Sequence, residues 1–426
     1  MRYVCEVCGY ESPKWFGRCP VCGSWDSAVE VKESGGKSPP VVLIPIGSGE
    51  KLERIKTGFK TLNEILGGGL VKGQVLLLGG EPGVGKSTIA LQIGDSVSRY
   101  GKVVYASGEE SAEQISTRAE RLKIEGKNIV LSTTQSVDSL LKTLERDPPK
   151  LLIVDSIQTF RSDEIGSIPG GVSQVKTVVS KVIDFSKRSE TVSLLIGHIT
   201  KSGEIAGPKL VEHMVDTVLY FEGERLTDVR VLRVFKNRFG PSGGIALFEM
   251  TNGGLIEIEE LVFKDKEDLP GNALSCALEG SRALVVQIQA LVSKSRIPTP
   301  RRNAVGLDQN RLSAVVAVLS KFLKIPFDLR EIHVGVLGGL RITDPGVDLG
   351  LALAMLSSFL ERSVDGYVSI GEIGLDGRVR IPYGFKKRLS VLSKLGFKRI
   401  VSPVNVEGFD VKIVESVLDL PSVLRG

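Results

Sequence analysis

The residues that decide how this chain is read are Gly80, Glu81, Pro82, Gly83, Val84, Gly85, Lys86, Ser87 and Thr88, in the run GEPGVGKST. An apolar run, Gln74 to Leu78, precedes them, and a helical pattern, Ser87 to Arg99, begins as they end. A glycine, four residues, then Gly-Lys-Ser between a strand and a helix is the Walker A arrangement. The glycines let backbone N–H groups face phosphate oxygens without side-chain obstruction, and the helix N-terminus adds its positive end. Lys86 is placed to reach the β- and γ-phosphates and Ser87 to coordinate Mg²⁺. A chance glycine-rich turn would lack this joint match of strand, spacing, lysine and helix. ATP with Mg²⁺ is the expected ligand.

Outward from this loop, strand and helix patterns alternate. Further apolar runs lie at Val103 to Ala106, Leu151 to Val154 and Ser193 to Ile196, with helical stretches such as Val137 to Leu144 between. Buried strands alternating with helices predict an α/β fold with a parallel sheet covered on both faces. Val218 to Phe221, Val229 to Phe235 and Gly244 to Phe248 have only turns between them and predict an antiparallel extension.

Two strand ends carry further chemistry. Asp155 closes the run LLIVDS, at the carboxyl edge where open α/β sheets bind ligands. That is the Walker B position for an acid holding Mg²⁺; a helix-capping aspartate is the plainer alternative. Glu109 and Glu110 follow VVYASG, where a carboxylate could orient water toward the γ-phosphate. Spacing alone does not choose between the two, and either could be a solvated helix-start glutamate.

The whole chain has 426 residues, 42% of them hydrophobic, with a formal net charge of +5. At roughly 150 residues per domain, about three domains are expected. The charge is mild for this length, so nucleic-acid binding has to be argued from sites. The start, MRYVCEVCGY, lacks a signal-peptide pattern, and the most apolar stretches, such as Gly350 to Leu360, are too short to span a bilayer. A cytoplasmic protein with no membrane partner is expected.

Four of the five cysteines fall within the first 22 residues. Cys5 and Cys8 make one C-x-x-C, Cys19 and Cys22 another, and each pair has a glycine close behind. Two such turns aim four sulfurs at one point, which suits tetrahedral zinc. Disulfides belong to oxidising compartments and do not fit a cytosolic chain. Four protein ligands leave the metal no open position, so its expected role is structural. Cys276, in GNALSCALEG, reads as a buried small hydrophobe. The segments expected are a C4 zinc ribbon at 1–30, a Gly/Ser/Pro-rich linker at 31–53, the ATPase domain at 54–264 and an α+β domain at 271–426.

SGEESAEQ at Ser107 to Gln114 resembles the run after the same strand in RecA-fold hexameric helicases of the DnaB type, whose catalytic glutamate falls on Glu109. GHITKSGEIAGPKLVEHMVD, with His198 inside it, and KNRFG at Lys236 to Gly240 resemble the marks of the bacterial RadA (Sms) family of DNA repair proteins. With the amino-terminal ribbon and the carboxyl-terminal domain, the resemblance covers essentially the whole chain. It implies a RecA-like core and a hexameric homo-oligomeric ring with ATP sites between subunits. It also implies single-stranded DNA and recombination intermediates as partners, branch migration as the activity, and the RecA recombinase as a protein partner. A regulatory ATPase of the KaiC kind is the alternative on the same fold.

On this reading Lys236 and Arg238, two apart on a strand, point to one face and act on the phosphates of a neighbouring subunit; a solvated edge-strand pair is the alternative. His198 is either a satisfied core histidine or a switch that senses the γ-phosphate. In RecA-like folds the loops corresponding to Arg161 to Gln174 and Thr200 to Pro208 line the channel. Lys201 is then the plainest DNA-phosphate contact, unless these loops touch nothing.

ITDPGVDLGLALAMLSS and the run from Gly371 to Pro403 resemble the proteolytic domain of Lon. Asp348 stands at the position of its serine nucleophile and Arg388 at that of its lysine. A carboxylate cannot become the acylating alkoxide, and arginine stays protonated. Proteolysis is therefore not expected, leaving a scaffold or a DNA contact. In SKSRIPTPRRNAVG, Lys294, Arg296, Arg301 and Arg302 lie on a proline-extended loop and suit a phosphate backbone, or else a solvated surface.

Overall fold

The computed structural model describes residues 2–7, 10–31, 52–166, 168–198, 211–223, 228–258, 262, 269–280, 282–297, 299–337 and 340–424. Nearly all of the expected linker lies outside these residues, as do Cys8 and Lys201.

Strands β1 (Arg2–Cys5), β2 (Glu11–Ser12) and β3 (Ala28–Val31) form an antiparallel sheet in the order β2-β1-β3. The large core begins with β4 (Arg54–Ile55), α1 (Lys60–Ile65) and β5 (Leu70–Val71), β4 and β5 pairing antiparallel. Strand and helix then alternate through β6 (Val75–Gly80), α2 (Lys86–Ser98), β7 (Val103–Ser107), α3 (Ala112–Arg121) and β8 (Ile129–Ser132). The pattern continues with α4 (Val137–Leu144), β9 (Leu151–Asp155), α5 (Val172–Ser189) and β10 (Val192–His198). Strands β11 (Thr217–Glu222), β12 (Val229–Asn237), β13 (Ile245–Thr251) and β14 (Gly254–Ile258) complete the sheet.

The sheet order is β14-β13-β12-β11-β6-β10-β9-β7-β8, parallel from β8 through β11 and antiparallel beyond. Every residue of β6, β7 and β9 is buried, because helices cover both faces; that is why these strands are continuous apolar runs. Leu78, Ile89 and Ile93 pack on the α2 face, and Leu77, Val178 and Val182 on the α5 face. Capping sets where the helices start. Ser111 and Gln114 form a capping box on α3, and Ser136 caps α4. Strand β14 has no counterpart in the sequence reading, since its glycine start and short length hide it.

The carboxyl-terminal domain comprises β15 (Asn272–Glu279), β16 (Arg282–Lys294), β17 (Arg302–Val305), α6 (Gln309–Leu323), β18 (Arg330–Val336) and α7 (Asp348–Leu360). It continues with β19 (Val368–Ser369), β20 (Glu372–Ile373), β21 (Val379–Arg380), α8 (Phe385–Lys394), β22 (Arg399–Ser402) and β23 (Asp410–Ile413). Its main sheet has the order β17-β18-β16-β15-β19-β22-β23. The proline-extended loop expected around Lys294 to Arg302 is shorter than the sequence suggests. Strand β16 runs on to Lys294, and Arg302 already begins β17, which pairs parallel with β18.

Val231, Ile245 and Leu247, from β12 and β13, enter the core of this second domain. Arg233 of β12 pairs with Glu279 of β15 at 2.7 Å. The outer strands of the nine-stranded sheet thus serve two cores at once.

Candidate functional site

The phosphate loop joins β6 to α2. A Cβ on Gly80 would lie 2.4 Å from the Phe221 carbonyl oxygen, and Gly85 enters α2 at φ +110 with Met250 Cε 2.6 Å from where its Cβ would be. Neither position tolerates a side chain, and Gly85 sits where L-residues are strained. Lys86 is buried, and its Nζ donates to the carbonyl oxygens of Gly80 and Glu81, both at 2.9 Å. Burial lowers its pKa to about 8, against the pull of Asp155 and Glu109. The ammonium is thus held in the loop where phosphate oxygens would replace the carbonyls. Arg230 Nε donates to the Val84 carbonyl at 3.2 Å and steadies the loop from β12.

Asp155, 4% exposed, ends β9. The Tyr105 hydroxyl, buried in the middle of β7, donates to Asp155 Oδ2 at 2.5 Å. Burial drives the Tyr105 pKa well above the usual phenol range, and the Asp155 carboxylate adds to the shift. The Asp155 carboxylate, held by this phenol, and the Ser87 hydroxyl of the phosphate loop are oxygen groups of the kind Mg²⁺ prefers. Sequence reasoning passed over Tyr105 as one more apolar strand residue. The signal that could have found it is that a buried phenol needs a polar partner.

The adjacent acids part company at the end of β7. Glu110 is bound by both terminal nitrogens of Arg118 on α3, one at 2.7 Å. Glu109 faces the other way, toward the strand ends. Its Oε1 accepts from Ser156 Oγ at 2.5 Å and lies 3.1 Å from His198 Nε2. The His198 hydrogen bond, then that of Ser156, lowers the Glu109 pKa to about 2 against the opposing effect of burial. Ser156 escaped the sequence reading because its partner lies 47 positions away, and Arg118 because its partner precedes the helix that carries it. Gln158 Nε2 donates to the His198 carbonyl at 3.3 Å, and the rest of the loop after His198 lies outside the described residues.

The KNRFG run differs from its expected geometry. Strand β12 ends at Asn237, so Arg238 lies one residue beyond it. The register slips between Val218 and Leu219, opposite Phe235, which is left unpaired and 64% exposed. Such a bulge rotates the residues after it. Lys236 Nζ is consequently turned back onto its own chain, donating to the carbonyls of Glu212, His213 and Val215 at 3.0, 3.1 and 2.8 Å. Lys236 and Arg238 are therefore not two free cations on one strand face. Arg238 remains on the surface, 57% exposed, with Nη1 3.6 Å from Asp216 Oδ1.

Register places Arg238 far from the phosphate loop of its own chain. Asn237 pairs with Thr217, and Thr217 with Leu76, at the start of β6, whereas the phosphate loop leaves its end at Gly80. Four strand residues at about 3.3 Å each put these opposite ends about 13 Å apart. The end of β12 is clamped there. Arg54 donates to the carbonyls of Leu66, Gly69 and Phe239, and Gly240 lies so close to Gly67 that a Cβ would sit 3.0 Å from its Cα.

In the ribbon, the Sγ atoms of Cys5, Cys19 and Cys22 lie within 4.8 Å of one another, and Cys5 and Cys22 are 3.6 Å apart. Tetrahedral Zn–S bonds of about 2.3 Å require sulfurs about 3.8 Å apart, so the cluster fits zinc. Cys276 is buried, and desolvation pushes its thiol up to about 12.

The positions matching the Lon dyad are both buried and face other partners. Asp348 accepts from Arg311 Nε at 2.8 Å and from the Ile373 N–H at 3.1 Å. Arg388 binds Asp344 at 2.6 and 2.9 Å and also donates to the Tyr383 carbonyl. Of the proposed phosphate contacts, Lys294, Arg296 and Arg301 are exposed. Arg302 is not free: half-buried, it donates to the Asp328 carbonyl at 2.9 Å.

A family model described as "Rubredoxin metal binding domain" matches residues 3–30, and one described as "AAA domain" matches residues 48–204. The DNA repair protein RadA of Aquifex aeolicus is 42% identical over 99% of this chain and 98% of its own length. This chain belongs to the RadA family of DNA repair proteins. The RadA of Listeria monocytogenes is 39% identical over 96% of this chain and 93% of its own. Among solved structures, a KaiC-like protein from Pyrococcus horikoshii matches with a TM-score of 0.41 at 19% identity, covering 49% of this chain and 100% of that one. As a RadA-family member the chain pairs a zinc ribbon with an AAA ATPase core. Among the described residues no helix is long and apolar enough to cross a membrane.

Proposed function

We propose that this RadA-family protein hydrolyses ATP at sites completed between subunits of a ring. We propose further that hydrolysis drives single-stranded DNA through branch migration of recombination intermediates. The observation that carries this reading is the position of Arg238, exposed at the sheet edge opposite its own phosphate loop. A cation there serves phosphates only if they belong to the neighbouring copy.

On this reading Lys86 and the backbone N–H groups after Gly80 bind the β- and γ-phosphates. Ser87 and the Asp155 carboxylate that Tyr105 orients would hold Mg²⁺, which supplies charge neutralisation on the transferring phosphoryl group. Glu109 orients the attacking water, and the neighbour's Arg238 stabilises charge developing on the phosphate oxygens. His198 senses the phosphate through Glu109. Lys236 acts within its own chain, holding the turn before β11. Lys294, Arg296 and Arg301 supply phosphate-backbone contacts, with RecA-made intermediates as substrates. The Lon-like domain, without a nucleophile or base at the matching positions, is a scaffold.

The test is ATP-driven branch migration of a three-strand intermediate, with Lys86→Ala as control. The reading fails if single-stranded DNA neither binds with nucleotide present nor stimulates hydrolysis. Phosphate found on the protein itself after incubation with ATP would favour a KaiC-like regulatory role instead.

A further inference from the structure

Glu109 stands at the end of β7, yet both groups that hold it come from other strands. Ser156 follows the last residue of β9, and His198 is the last residue of β10. Both meet the same oxygen, Oε1, at 2.5 and 3.1 Å. An sp² oxygen has two lone pairs, so these two groups occupy the acceptor positions of that atom. Hydrogen bonds to the charged form of a carboxylate reduce its affinity for a proton, and a weaker base is a poorer partner for an attacking water.

The Ser156 hydroxyl is held rigidly. The residue is buried, and its own carbonyl accepts from the N–H and hydroxyl of Thr159 at 3.1 and 2.8 Å. Gln158, between them, ties this turn to the His198 carbonyl. The turn leads within a few residues to Arg161, the start of the first of the two loops expected to meet DNA. That loop is thus joined, through the turn, to the hydroxyl that grips Glu109.

We propose that Ser156 is a positioning residue that restrains Glu109, keeping basal ATP hydrolysis low until the strand-end turn shifts. The proposal rests on the reading of Glu109 as the group that orients water. It concerns the DNA-free rate, so it stands or falls apart from the claim that DNA is the stimulus. Ser156→Ala deletes one hydroxyl and leaves the backbone bonds of the turn in place.

The experiment measures ATP turnover of the full-length protein with Mg²⁺, with and without a single-stranded oligonucleotide. The proteins are wild type, Ser156→Ala, Glu109→Gln and the double variant, with affinity for a fluorescent ATP analogue and thermal melting as checks on folding. Ser156→Ala should raise the DNA-free rate severalfold and shrink the ratio of stimulated to basal turnover. The double variant should fall to the level of Glu109→Gln, because the gain runs through that carboxylate. An unchanged or lower DNA-free rate in a folded, nucleotide-binding Ser156→Ala overturns the restraint, as does a gain that survives Glu109→Gln. A wild type indifferent to DNA would instead count against the proposed function, leaving the basal-rate comparison intact as the test of Ser156.

Discussion

The Tyr105 hydroxyl donates to Asp155 Oδ2 at 2.5 Å, fixing the carboxylate that is a candidate Mg²⁺ ligand. A bond of this kind to a charged group contributes about 1.5 kcal/mol. Tyr105→Phe removes it without opening a cavity. The expected result is about a tenfold loss of apparent Mg²⁺ affinity, since about 1.4 kcal/mol is a factor of ten, with little change in melting temperature. Mg²⁺ titrations of ATP turnover would read it; unchanged Mg²⁺ dependence would deny Tyr105 this role.

The two neighbouring glutamates should separate cleanly. Glu109→Gln is expected to retain nucleotide binding while losing hydrolysis by on the order of 10²-fold or more, the range for a positioned base. Glu110→Gln breaks its half-buried pair with Arg118 and should cost about 1 kcal/mol of stability, with turnover near wild type. Equal kinetic damage from both substitutions would contradict the assignment.

Arg238→Ala should lower turnover by on the order of 10³-fold, as for a trans-acting arginine, with nucleotide affinity retained. Mixing subunits carrying Arg238→Ala with subunits carrying Lys86→Ala should restore part of the activity. Some interfaces would then join an intact Lys86 to an intact Arg238. Lys236→Ala frees three carbonyls and is expected to lower the melting temperature as well as the rate. Normal turnover of Arg238→Ala would refute the in-trans role.

Metal removal tests the ribbon. Chelation should unfold the amino-terminal segment alone and leave nucleotide binding by the core intact. Thiol alkylation followed by mass analysis should then label the ribbon cysteines. Cys276, buried and with its thiol pushed up to about 12, should stay unmodified at neutral pH, where it is protonated. Loss of ATP binding on chelation would show instead that the ribbon supports the core.

In the carboxyl-terminal part of the chain, Arg388→Ala would leave Asp344 without its guanidinium partner and should destabilise that part by about 3–5 kcal/mol. Calorimetry would detect this as an early transition. No transition below that of wild type would show the pair to be dispensable.

Much of the fold and part of the site was legible without coordinates. GEPGVGKST, the paired C-x-x-C turns and the apolar strands β6, β7, β9 and β10 depend on residues within a few positions of one another, so pattern and spacing expose them. The choice between Glu109 and Glu110 did not yield to spacing. It depends on Arg118 one helix later and on Ser156 and His198 on other strands. KNRFG misled because a two-residue period was carried through Lys236 and Arg238. The strand end at Asn237 interrupts that period before Arg238, and the carbonyls that take up Lys236 come from more than twenty positions earlier, so neither has a local signature.

By itself the sequence determined the phosphate-loop pattern, the zinc ribbon and the alternation that builds a parallel sheet. Each is a property of side-chain chemistry and short-range backbone geometry. Only the tertiary structure decided which oxygen of which glutamate is gripped, that Tyr105 holds Asp155, and that Arg238 lies across the sheet from its own phosphate loop. These follow from strand order and register, which bring together residues tens to hundreds of positions apart. Register is set by how the whole sheet packs between its helices, and no local window of sequence contains it.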